Sequence, residues 1–180
     1  MRVISGTARG IALKTPEGLK TRPTSDRVKE AMFSIIQFDL PGANVLDLFG
    51  GTGQLGIEAL SRGAKHTAFV DQSAQACLLI KENLKRTGFA VNATVIQSDY
   101  SLYLHKCSDK FDIILLDPPY AEVFLENSLK IISEIDILQS GGIIVTERPL
   151  GKDLLCELSG FVRSKEYKYG NTLLTIFRKQ

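Results

Sequence analysis

The tetrapeptide Asp117-Pro118-Pro119-Tyr120 follows the apolar run Phe111-Asp112-Ile113-Ile114-Leu115-Leu116. A run of this kind that stops at two prolines reads as a buried parallel strand ending abruptly, because proline lacks the N–H that a ladder requires. A carboxylate and an aromatic ring then stand at a strand's carboxyl end, and open α/β sheets bind ligands in the crevice outside that end. The carboxylate and the rigid prolyl carbonyls suit a planar group bearing an exocyclic NH2: the oxygens accept its hydrogens while the ring stacks on its face. The expected acceptor is a nucleobase or amide nitrogen, with Asp117, Pro118 and Tyr120 as catalytic candidates.

A second cluster lies upstream. Val45-Leu46-Asp47-Leu48-Phe49 leads into Gly50-Gly51-Thr52-Gly53-Gln54-Leu55-Gly56 and then into the helical run Ile57-Glu58-Ala59-Leu60. Glycines let the backbone turn sharply and approach a ligand, and the following helix N-terminus presents free N–H groups. Gly51, Gly53 and Gly56 satisfy the G-x-G-x-x-G pattern, and Asp71 ends the next strand about twenty residues on, where a ribose-binding acid belongs. Taken alone this loop fits NAD as well as S-adenosylmethionine. Asp47 tilts the choice to S-adenosylmethionine, since a carboxylate beside the glycines can hold an amino-acid moiety, directly or through water, and would repel a pyrophosphate. Asp99 ends a third strand, where it either accepts from an adenine amino group or caps a helix. The cofactor-binding candidates are Asp47, Gly50, Gly51, Thr52, Gly53, Asp71, Gln72 and Asp99.

These residues need a frame that lines up strand ends. From Asn44 the pattern alternates, with strands expected at 44–49, 66–71, 92–97, 111–116 and 142–147, and helices near 53–62, 73–87 and 123–138. Such alternation argues a doubly wound, Rossmann-like α/β sheet, mostly parallel, with helices on both faces. Residues 161–169 and 172–178 are β-prone runs joined through Tyr169-Gly170-Asn171, which predicts a closing antiparallel hairpin. Upstream, residues 2–5 and 10–15 suggest a small basic hairpin. A helix from Arg22 to about Gln37 should follow, capped by Thr24 or Ser25, with Val28, Met32, Ile35 and Ile36 as its apolar stripe. The whole, 1–180, is expected to form one domain, with 1–40 as an appendage on a core of 41–180.

The composition, 44% hydrophobic and 23% charged, is that of a folded globular chain, which excludes intrinsic disorder. Cys77, Cys107 and Cys156 are odd in number and widely spaced, so they read as buried thiols in a reducing compartment, neither a zinc pattern nor a disulfide framework. No stretch approaches the roughly 18 apolar residues of a membrane span, the start lacks a signal-peptide core, and a cytoplasmic location is expected. His66 and His105 stand alone without ligand spacing, so no metal is expected. Net charge is +2, but residues 1–30 carry +4, residues 151–180 carry +3 and the segment between them −5. Basic ends point to a polyanion partner. Arg9, Lys14, Lys20, Arg22, Arg27 and Lys168 are the phosphate-contact candidates, with Lys165 as a further one.

With these residues in view, the chain resembles the class I S-adenosylmethionine-dependent methyltransferases, and more closely the bacterial enzymes that methylate the exocyclic N2 of a guanine in 16S ribosomal RNA of the small subunit. The resemblance runs through Arg2-Val3-Ile4 and Arg9-Gly10, Arg22 to Phe33, Asp47 to Gly53, Leu55 to Ala64, Asp117 to Tyr120 and Tyr169 to Thr172. The glycine loop is shared by many methyltransferases and the Asp117 tetrapeptide by several amino methylases; the Arg22 to Phe33 segment is the part that points to this one family. It implies methylation of 16S ribosomal RNA, naked or within the small subunit, by a monomer. Gln54 stands where the family often has alanine, Asp71 where glutamate is usual and Asn171 where aspartate is usual. Ile11-Ala12 replaces further basic residues. An adenine-N6 or protein-glutamine methyltransferase, a NAD-dependent oxidoreductase and a noncatalytic RNA-binding module remain as alternatives.

Overall fold

The computed structural model describes residues 1–16, 26–119, 122–151, 154 and 158–180. Helix α1 (Asp26–Ile35) precedes an alternating series: β1 (Asn44–Asp47), α2 (Gln54–Ser61), β2 (His66–Asp71), α3 (Ala74–Thr87), β3 (Ala93–Gln97), α4 (Tyr100–Lys106), β4 (Phe111–Leu116), α5 (Glu122–Glu134) and β5 (Leu138–Pro149). The chain closes with β6 (Phe161–Tyr169) and β7 (Thr172–Lys179). The seven strands run in the order β3-β2-β1-β4-β5-β7-β6, parallel as far as β5, with β7 antiparallel to both of its neighbours. Strand order reverses between β1 and β4, which makes that boundary the topological switch point.

Side chains alternate across this sheet. Val45, Phe69, Ile113 and Val145 face one core with Met32, Phe33, Ile57 and Ile80, whereas Leu46, Val70, Ile114 and Ile144 face a second core with Leu104, Leu125 and Leu129. Both faces of the central strands are therefore buried, and the strands read as near-continuous apolar runs. The last glycine of the loop, Gly56, serves this packing. A Cβ on Gly56 would lie 2.2 Å from Phe69 Cε1 and 2.8 Å from Thr67 Cγ2. Because both neighbours are ring or branched atoms in a filled core, Gly56→Ala is expected to cost about 1–3 kcal/mol through overpacking. An unchanged urea midpoint for that variant would show that the helix can lift off β2 without penalty.

Several expected elements shift. The two N-terminal strands reduce to a single bridge, Arg2↔Ala12, although the legs still exchange bonds from Val3 N to Ile11 O and from Gly10 N to Val3 O. The backbone N–H groups of Ile4 and Ser5 donate instead to the Glu58 carboxylate at 2.8 and 3.0 Å, and Thr7 N donates to Ser61 O, so the ladder loses its donors to α2. The expected caps Thr24 and Ser25, with Lys20, Arg22, Tyr120 and Cys156, lie outside the described residues. Along α1 the buried stripe is Val28, Met32 and Phe33, with Ile36 just beyond, while Ile35 is half-buried. Helix α4 was expected only through the capping alternative for Asp99; at seven residues it is too short to show a periodicity. β5 begins before the expected 142 because Gly141, at φ +74°, together with a register irregularity opposite Phe111 and Ile113, lets the strand bend and continue. Cys77 is buried and free, whereas Cys107 is only half-buried.

Candidate active site

Strand register explains how the acids come together. Asp47 lies opposite Phe69 of β2 and Leu115 of β4, so Asp71 and Asp117 each stand two residues, about 6.6 Å, further toward the carboxyl edge. Asp71 pairs with Gln97, which places Asp99 another step beyond. The row is thus a staircase: Asp47 lowest and 1% exposed, Asp71 and Asp117 half-buried above it, and Asp99 at the rim.

Each step holds the loop in a particular way. Asp47 Oδ2 accepts from Gly56 N at 3.0 Å, tying the end of β1 to the first turn of α2. Asp71 uses both oxygens on backbone, accepting from Gly51 N and from Ser73 N, each at 2.8 Å. Asp99 caps α4, with Oδ1 accepting from Ser101 N at 2.9 Å and Leu102 N at 3.1 Å. The cap expected of Asp99 as one alternative is formed, and it uses Oδ1 alone. Gly50 N donates to Val70 O and Gly53 N to Gly50 O, so the loop folds tightly back over the strand ends. Gly51 and Gly53 adopt φ +54° and +80°, values that side-chain-bearing residues rarely tolerate.

Burial pushes the Asp47 carboxyl up to about 7; the charges of Asp117 and Asp71 push in the same direction, and the hydrogen bond from Gly56 opposes them. Three carboxylates thus share one electrostatic environment, which favours a cation at their centre. Two further observations fit a cofactor with a sulfonium and an ammonium group. A Cβ on Gly51 would meet only Phe49 O, at 3.9 Å, so the space beside the loop at this residue is open. The buried Oε1 of Gln54 has no hydrogen-bond partner among the described residues, and so offers an acceptor at the start of α2. Gln72 is exposed just past β2, and Thr52 Oγ1 reaches Met1 Sδ at 3.3 Å.

Sequence reasoning missed three features of the site. Phe49, Tyr100 and Phe124 form an aromatic wall, with ring centroids 5.4 Å apart for Phe49 and Tyr100 and 5.7 Å for Tyr100 and Phe124. They follow the ends of three different strands, so nothing in their spacing unites them. Lys29 and Glu58 are both fully buried, 3.9 Å apart. Lys29 Nζ donates to Arg2 O at 2.7 Å, and Arg62 Nε to Glu58 at 2.8 Å. Burial lowers the Lys29 pKa, with Glu58 as the leading opposing influence.

The third feature is Asn83, fully buried on α3. Its Nδ2 donates to Thr52 O at 2.9 Å and to Lys14 O at 3.1 Å, and its Oδ1 accepts from Lys14 N at 2.8 Å. One side chain therefore clamps the N-terminal arm to the glycine loop. Asn83→Ala leaves buried backbone groups unpaired and is expected to cost roughly 1–3 kcal/mol. Thermal melts with and without S-adenosylmethionine check this. A cofactor-induced rise in Tm as large as in the parent would mean that the loop keeps its shape without the clamp.

The basic candidates divide in space. Arg9, Lys14 and Arg27 are exposed on the arm and α1, with Lys14 paired to Glu82; Lys165 and Lys168 are exposed on the edge strand β6. His66 meets Thr94 Oγ1 at 3.0 Å, a structural contact, and among the described residues no cluster of metal-ligating side chains occurs. Among them, too, no helix is long and apolar enough to cross a membrane.

Known proteins share this whole frame. The chain is 40% identical to YlbH of Bacillus subtilis (strain 168), named as a candidate rRNA methyltransferase, over 100% of both chains. It is 28% identical to ribosomal RNA small subunit methyltransferase D of Escherichia coli (strain K12), over 100% of this chain and 90% of that one. A solved Escherichia coli structure, yhhF, described as a candidate methyltransferase, superposes with a TM-score of 0.90 at 26% identity, over 100% of this chain and 98% of that one. The fold is thus that of the Rossmann-like methyltransferases, and because the family model described as Conserved hypothetical protein 95 matches residues 1–178, the chain belongs to that family.

Proposed function

We propose that the protein transfers a methyl group from S-adenosylmethionine to the exocyclic N2 of a guanine in 16S ribosomal RNA. The observation that carries this reading is the register at the switch point, which sets Asp117 on the strand beside Asp47 and the glycine loop. A row of acids beside a glycine cradle suits a cationic cofactor, and the names of the relatives point to ribosomal RNA as the acceptor.

Bound there, S-adenosylmethionine supplies an electrophilic methyl on a sulfonium whose sulfur keeps the bonding electron pair as the methyl departs. Asp47, Gly50, Gly51, Thr52, Gly53, Asp71, Gln72 and Asp99 hold the cofactor in this reading, with Asp71 facing the ribose. Asp117 and the Pro118 carbonyl accept hydrogens from the guanine N2 and direct its lone pair along the line of displacement. The positive charge that grows on N2 as the new N–C bond forms is stabilised by Asp117, and the proton leaves to that carboxylate or to water. Tyr120 stacks on the base, which must be splayed out of its RNA to reach the crevice.

The test is incubation of the purified protein with labelled S-adenosylmethionine and small ribosomal subunits from cells lacking this gene, followed by nuclease digestion and mass spectrometry. N2-methylguanine at a single site is expected. Absence of label with cofactor binding intact would overturn the proposed acceptor.

A further inference from the structure

A second basin lies away from the glycine loop. It encloses about 450 Å³ and is lined by Arg2, Arg9, Arg62, Glu30, Ser34 and Gly10, among other arm residues. Arg62 follows α2 directly, eight residues from Gln54, so the basin stands about 12 Å along the helix from the loop and is a separate site.

Charge and geometry there favour an anion. Arg62 is fixed by its Nε bond to Glu58 and by stacking on Phe33, with Cζ 5.2 Å from the ring centroid. Arg2 is anchored through its carbonyl to Lys29 Nζ, while its guanidinium reaches Asp26 at 3.3 Å. Among the described residues the Arg9 side chain has no hydrogen-bond or ion-pair partner. The buried Glu58 is matched by Lys29 and Arg62, which leaves Glu30 as the one carboxylate among the lining residues. Counting the acids that pair with them, Arg2, Arg9, Arg62 and Lys29 face Asp26, Glu58 and Glu30, which leaves one positive charge in excess, and Arg9 is the member with no acid beside it among the described residues. The backbone N–H groups of Ile4, Ser5 and Gly10 are already spent on Glu58 and Val3, so recognition must come from the guanidinium forks, which match phosphate geometry. The volume is that of a ligand of several heavy groups, more than one isolated phosphate would fill.

We propose that this basin binds the sugar–phosphate backbone of the RNA at a position flanking the methylated base. The proposal rests on the RNA reading above, and it assigns Arg2, Arg9 and Arg62 to one phosphate-binding site. Arg62 is the member that charge counting along the sequence overlooks, because it is oriented by a buried acid.

The experiment measures binding of fluorescein-labelled single-stranded oligouridylate across a salt titration, for the parent protein, Arg9→Gln, Ser34→Glu and Lys106→Gln. Lys106 is an exposed residue ending α4, on the other face of the sheet, and its loss controls for net charge. Arg9→Gln and Ser34→Glu are expected to weaken binding roughly three- to tenfold, with the salt slope of Arg9→Gln reduced by about 0.7, whereas Lys106→Gln stays near the parent. Equal affinities for all four proteins, or an equal loss in Lys106→Gln, would overturn the basin, as would failure of the parent to bind the oligomer. Methyl transfer to ribosomal subunits is measured separately. Binding that responds to the two basin variants without any methylation would sink the proposed function and leave the basin standing; methylation without that response would do the reverse.

Discussion

Asp117→Ala is expected to lower kcat on small ribosomal subunits by roughly 10²–10³-fold, the loss typical of deleting one preorganised partner of developing charge. The reasoning starts from the strand. β4 is buried on both faces, and Asp117 stands one residue past its end with two prolines following, which restricts the backbone there. Its charge raises the Asp47 carboxyl, in keeping with the two acids standing at neighbouring strand ends. Removing it should leave the fold intact, while cofactor affinity feels two opposing influences, the loss of one negative charge facing the cation and the easier ionisation of Asp47, and should change by no more than a few-fold. Asp117→Asn keeps an acceptor oxygen but no charge, and should fall between the parent and the alanine variant. Single-turnover rates with saturating S-adenosylmethionine make the comparison; an alanine variant within a few-fold of the parent would remove Asp117 from the chemistry.

The sequence showed the parts of this site that depend on order along the chain. Alternating apolar runs placed four of the five parallel strands to within about two residues of their observed bounds, and the Asp117 tetrapeptide and glycine loop were legible because proline and glycine have local geometric consequences. Depth was not legible. The sequence put Asp47 inside its strand and Asp71 at the end of the next, but did not show that register sinks Asp47 two residues below its neighbours and makes it the anchor of Gly56. Lys29 and Glu58 drew no reading from the sequence, and their complete burial follows from the arm folding back over α2, a tertiary event with no periodic trace. Asn83 is hidden for the same reason: its partners Thr52 and Lys14 are 31 and 69 residues away in the chain.

Asp47→Asn should separate stability from cofactor binding, and pH is the variable that reveals it. The folded Asp47 carboxyl holds its proton up to about pH 7, whereas its ordinary value is 3.8. Between those limits the folded state binds more protons than the unfolded chain, so stability falls as pH rises through that window and stays at its lower level above it. The asparagine variant keeps an oxygen for the Gly56 N–H and carries no proton to lose. At pH 8 the cofactor-free variant should therefore be more stable than the parent, by at most an amount on the order of 4 kcal/mol, while the two converge near pH 4. Cofactor binding should move the opposite way. A cation entering the crevice favours the ionised Asp47, so parent affinity for S-adenosylmethionine should rise as pH climbs through 7, and the variant should bind more weakly with a flatter profile. Melting curves and calorimetry across this range test both halves, and parallel Tm-against-pH curves for the two proteins would show that Asp47 is not the buried acid that the crevice leaves waiting for a cation.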